Sequence, residues 1–120
     1  MPEPAAKEQD KIVAIDTHIV QGTPTPLAFS GVLDGKLSSN VLVEHRWAAM
    51  VDSTATNAPI HSPPPDKPPS NQGVVVNGSG TVLINHRAAA RNGDAAMTCN
   101  DPADLPAGHV VATSTVIVGG

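Results

Sequence analysis

The sequence predicts a small, mainly β protein of three β-hairpins arranged with pseudo-threefold symmetry. Three observations point there: one segment recurs along the chain, its apolar runs are rich in Val, and the aromatic side chains that usually fill a core are nearly absent. The segment Gly31–His45 returns as Gly73–His86, and a shortened third copy spans Gly108–Gly120. Each copy opens with Gly, passes through a short apolar run, turns, and closes on a second apolar run. Self-similarity of this kind marks a repeat architecture, and Val clusters favour strands. The 120 residues hold one Phe, one Trp and no Tyr, but 12 Pro and 10 Gly. Something other than aromatic packing must therefore hold the chain together.

The polar segment 1–14 precedes a single domain, 15–120. Residues Ile15–Ser30, with His18, Pro24 and Pro26, read as a loop. The first hairpin follows, with its turn at Asp34-Gly35, and the second turns at Asn77-Gly78; both dipeptides tolerate the positive φ of tight turns. The third turn falls near Ala112–Ser114. Between hairpins lie two further loops. Ser53–Gln72 holds six prolines and is expected to be extended or polyproline-like, and Ala95–Ala107 holds Cys99. Hairpins this short are not stable alone, so the loops join parts of one unit.

The bulk properties exclude several classes. A formal charge of −4 without basic clusters argues against a nucleic-acid partner. Met1–Asp10 lacks the apolar core of a secretory signal, and no stretch approaches the ~18 apolar residues of a membrane helix. A single Cys rules out an internal disulfide framework, whereas five His beside it make a metal-site composition. The loop before each hairpin carries one good ligand: His18, His61 and Cys99. Cys99 lies in the polar stretch Thr98–Pro102, unlike a thiol used as a small core hydrophobe. His61 lies among prolines that stiffen its loop. Asp52 and Asp94 read as repeat-equivalent carboxylates that bond loop backbone. No nucleophile motif is present, and Gly73–Gly80 lacks the phosphate-loop pattern.

The segment Thr81–Asp94 resembles the signature of PAAR proteins, a strand reading T-V-x-I-N-G followed by x-P-A-A-R-x-G-D. Ala89-Ala90-Arg91 and Gly93-Asp94 match; Ala88 stands where Pro is usual and His86 where Gly is usual. The first copy is more degraded, with Trp47-Ala48-Ala49-Met50 in place of P-A-A-R. The resemblance implies a conical fold whose apex is stapled by one structural zinc held by three His and one Cys. It assigns His18, His61 and Cys99 to the ion and leaves the fourth position to His109, with His86 and His45 as alternatives. It further implies a cone seated as one monomer on a homotrimeric spike with a β-helical tip, sharpening it for membrane puncture when a contractile sheath fires. The machine is left open among type VI secretion, a tailocin, a phage tail and an extracellular injection particle. Such a tip is assembled in the cytoplasm without a signal peptide and leaves with the particle, in transient contact with the target membrane. Two other functions compete. A cargo or effector-loading adaptor would need a binding surface beyond the cone, in Met1–Lys11 or Ser62–Ser70. A small zinc hydrolase would keep only three protein ligands and a nearby base. A closed set of four ligands favours a structural ion and no enzymatic activity.

Overall fold

The protein was analysed as a computed structural model that describes residues 2–119, among which no helix occurs. Twelve strands follow in chain order: β1 (Glu3–Pro4), β2 (Lys11–Val20), β3 (Thr23–Gly35), β4 (Leu42–Val43), β5 (Arg46–Trp47), β6 (Thr54–Asn57), β7 (Gln72–Val75), β8 (Leu83–Ile84), β9 (Arg87–Ala88), β10 (Ala95–Thr98), β11 (Leu105–Val111) and β12 (Ile117–Val118). Six of them, β2, β3, β6, β7, β10 and β11, close into an antiparallel barrel. The other six form three two-stranded ladders, β4–β5, β8–β9 and β12–β1. The molecule is elongated, 44 × 24 × 22 Å.

The three barrel hairpins are β2–β3, β6–β7 and β10–β11, so each stretch read from sequence as a loop is a hairpin with the loop at its end. Residues Ile15–Ser30 are not a loop: β2 and β3 pair through Ile19↔Pro24 and Thr17↔Pro26 around a tight turn at Gln21-Gly22. Pro24 and Pro26 fit because of where their nitrogens point. The N–H groups of Thr17 and Ile19 turn away from β3, to Asn100 Oδ1 at 2.7 Å and Asp101 Oδ2 at 2.8 Å. The facing prolines therefore direct their own nitrogens outward, where β3 has no ladder partner, because its pairing with β6 begins only at Gly31.

The tight turns also move. Asp34 and Gly35 end β3 at a register shift, and Asn77-Gly78 lies in an extended link after β7. The two-residue turns are Glu44-His45 and Asn85-His86, with φ of 49°, 70°, 52° and 71°. Positive φ at both central residues is the geometry whose twist matches the flanking strands. No hairpin forms near Ala112–Ser114. The third ladder is completed instead by the N-terminal segment, where Glu3 pairs with Val118 and Pro4 with Ile117. Segment 1–14 thus supplies β1 and the first four residues of β2.

The ladders surround an alanine ring. Ala6 N–H donates to Ala90 O (2.9 Å), Ala49 N–H to Ala6 O (3.0 Å) and Ala90 N–H to Ala49 O (3.1 Å). These alanines are buried. A tight loop follows each ladder, with its positive-φ residue at Gln9 (81°), Asp52 (81°) and Gly93 (87°). The next side chain closes it: Lys7 N–H reaches Asp10 Oδ2 (3.0 Å), Met50 N–H reaches Ser53 Oγ (3.0 Å) and Arg91 N–H reaches Asp94 Oδ2 (2.7 Å). Asp94 accordingly does bond loop backbone, but its counterpart in the first copy is Ser53. Asp52 instead forms an ion pair with Arg87.

Inside the barrel, Phe29 packs with Ile12, Leu33, Ala55, Val75, Ala96 and Val110. The lone Phe fits because Gly31 and Gly73 face it. A Cβ at Gly31 would sit 3.0 Å from its ring, and one at Gly73 3.2 Å. The glycines that open two copies of the repeat are thus spacers for the largest core side chain.

Candidate metal centre

The first strand of each barrel hairpin leaves the alanine ring and runs to the opposite end, where the three hairpin ends converge. Strand alternation along β2 turns Ile12, Ala14, Asp16 and His18 to the interior. His61 follows β6 and Cys99 follows β10. Asp16, His18, His61 and Cys99 are all buried, and one ligand atom from each lies within 4.8 Å of the others. His61 Nε2 is 2.9 Å from Asp16 Oδ2, and the Cys99 thiol donates to the same oxygen at 3.6 Å. The two imidazoles lie 4.9 Å apart between ring centroids.

Surrounding groups fix these side chains. Asp16 Oδ1 accepts from the Thr98 hydroxyl and from Asn100 Nδ2. Asn57 holds His61: its amide nitrogen is 3.3 Å from His61 Nδ1 and donates to Asn71 Oδ1, which also accepts the His61 N–H. His18 differs. Both ring nitrogens are buried without a hydrogen-bond partner, although Nδ1 lies 3.2 Å from Asp101 Oδ2 in poor geometry. A buried imidazole with two unsatisfied nitrogens is costly unless something else meets them. Burial, above all, pushes the Cys99 thiol pKa up; a hydrogen bond with the Asn71 backbone opposes the rise and Asp16 adds to it. A bound cation would act in the opposite sense, stabilising the thiolate. Two imidazoles, a thiol and a carboxylate with one orphaned ring form a set that could hold a metal ion.

Of the residues read from sequence, His18, His61 and Cys99 meet here. His109 does not. It lies on β11 opposite Val13 and Ala95, exposed, while its neighbours Gly108 and Val110 face inward. Period-two alternation puts it on the outer wall. His45 and His86 are exposed in the ladder turns, at the other end of the barrel. The fourth member is Asp16, which the sequence reading missed. Its signal was the spacing Asp16-Thr17-His18, which places both side chains on one face of a strand.

The fold and site together define a small repeat-built β-barrel protein with a buried candidate metal centre at one end. Residues 65–120 match the family model described as the PAAR motif, so this part of the chain is similar to PAAR proteins. That family is structural, made up of spike-tip proteins of contractile injection systems, and is known for metal binding. No curated protein matches the chain.

Proposed function

We propose that this chain caps the trimeric, β-helical end of a contractile spike as a single copy, and that it serves as a point and not as an enzyme. The observation that carries this reading is the repetition of exposed apolar residues on the three ladders. Leu42, Leu83 and Ile117 hold equivalent positions facing Trp47, Ala88 and Pro4, and are 56%, 66% and 59% exposed. Val82 and Val116, which precede two of them, are exposed as well. Apolar groups repeated three times around one axis on a monomer match a partner of three identical chains.

At the far end, His18, His61, Cys99 and Asp16 would hold one zinc. The ion would tie together the ends of all three hairpins where little apolar core is available. Four protein donors leave no open position for a reacting water, the mark of a structural site. Such a tip would be assembled with the particle in the cytoplasm and leave with it, touching the target membrane when the sheath contracts.

The test is association with a trimeric β-helical spike protein, followed by light scattering. The expected mass is one chain per trimer. Replacing Leu42, Leu83 and Ile117 together by Asp should weaken binding by about 100-fold or more, since buried apolar anchors dominate such interfaces. Its melting temperature should barely move, because all three are exposed in the free chain. Undiminished binding by that variant would show that the ladders are not the docking face.

A further inference from the structure

A cleft of about 210 Å³ opens beside the metal centre, between residues 67–70 and 99–104, with His18 and Cys99 on its floor. The His18 ring, 1% exposed, with Nδ1 3.2 Å from Asp101 Oδ2 and no hydrogen-bond partner at Nε2, lines this space. The two walls are held very differently. Residues 99–104 join two barrel strands and are bonded to β2 through Asn100 and Asp101, with Asp101 N–H also donating to Thr17 O at 2.9 Å.

The opposite wall is the end of the Pro-rich strap after His61. Pro63, Pro64, Pro65, Pro68 and Pro69 have no N–H to offer, and most of the strap is exposed. Its middle is held by Pro65, which is buried, and by the hydrogen bonds of Asp66. Asp66 N–H donates to Ile19 O (2.8 Å), and its carboxylate accepts from Gln21 N–H (2.7 Å) and Gly22 N–H (2.9 Å) at the β2–β3 turn. The next fixed points are His61 before it and Ser70–Asn71 after it.

We propose that the strap is a lid over the metal centre, that Asp66 is its catch, and that the ion enters and leaves through this cleft. A mostly exposed segment whose only hydrogen-bonded anchor between its ends is Asp66 belongs to the less stable part of a fold and opens locally at small cost. Its opening would bare His18 and Cys99 while Asp16, on β2, stays in place. This inference rests on the proposal that the four residues bind zinc.

The experiment uses the full chain loaded with zinc, challenged with the chromophoric chelator 4-(2-pyridylazo)resorcinol. Asp66→Ala should release zinc about tenfold faster than the unmodified chain, because both bonds to the carboxylate, from Gln21 and Gly22 N–H, are lost and only the backbone bond to Ile19 O remains. Asp66→Asn, which keeps the side-chain shape and one acceptor oxygen, should fall between. Uptake by the metal-free chain should accelerate as well, leaving affinity nearly unchanged. That paired change separates a lid from a part of the binding site. Equal release rates in all three proteins would overturn the lid, as would faster release with slower uptake, which would mean that the ligands themselves had been displaced. An unmodified chain that takes up no zinc would sink the metal reading, and the lid with it.

Discussion

At the base of the barrel, Ala6, Ala49 and Ala90 exchange hydrogen bonds in a closed ring, and the bonds at Lys7, Met50 and Arg91 repeat around it. At the far end the same three hairpins close in unlike ways: a tight turn at Gln21-Gly22, a long strap over 58–71 and a shorter loop over 99–104. The contrast follows from what each end must do. Around the ring, three backbones meet at one axis, which only equivalent small residues allow. At the candidate metal centre, four side chains of three kinds converge, and three identical groups could not supply a thiol, a carboxylate and two imidazoles. Symmetry is kept where backbones pack and abandoned where chemistry is selected.

The largest effect expected from breaking this contrast is at the asymmetric end. Cys99→Ser should lose zinc binding and lower the melting temperature by more than about 10 °C, since a structural zinc supplies folding free energy of many kcal/mol. Metal analysis and calorimetry would show it, and an unchanged melting curve would mean that the barrel stands without the ion. At the symmetric end, Leu in place of Ala6, Ala49 or Ala90 should cost about 1–3 kcal/mol or more by overpacking, and similarly at each position. Chemical denaturation of the three variants would reveal any inequality, and a wide spread would break the equivalence.

A smaller, graded effect is expected at the loop closures. Asp94→Ala should cost about 1.5–3 kcal/mol and Ser53→Ala about 1 kcal/mol. Asp94 does more because it also binds the Arg91 guanidinium at 2.8 Å and raises its pKa above the ordinary value. Equal costs would show that the ion pair adds nothing. The smallest effect has the opposite sign. Gly at His45 or His86 should stabilise by about 0.5–1 kcal/mol, because each His occupies a left-handed conformation that Gly adopts freely.

The sequence was most legible where local chemistry repeats. Ala48-Ala49 and Ala89-Ala90 were visible as paired tails, and they lie as equivalents at the ring. Their third counterpart was missed because the copy is split across the chain. β12 provides one strand, and Pro4-Ala5-Ala6, more than 110 residues earlier, provides the rest. The pattern was readable: Asp10 follows Pro4 by the interval at which Asp94 follows Ala88. The tight turns were misplaced because Asp-Gly and Asn-Gly are the usual signals, whereas this chain puts Glu-His and Asn-His at positive φ. At the metal centre, His18, His61 and Cys99 could be read singly, because each sits in a hairpin end. Asp16 and His109 depended on knowing which segments were strands, since alternation turns one inward and the other out. The prolines at 24 and 26 hid that fact by making β3 look like a loop.

Those two prolines bear on the company the molecule keeps. The margin of β3 at Thr23–Pro26 has no neighbouring strand, and such margins ordinarily serve as templates on which another copy can lay a strand of its own. Here the two outward positions that would offer donors have none to give, so a second chain finds no register in which to zip. The open margin of β3 is thus a poor template for strand-by-strand association between copies.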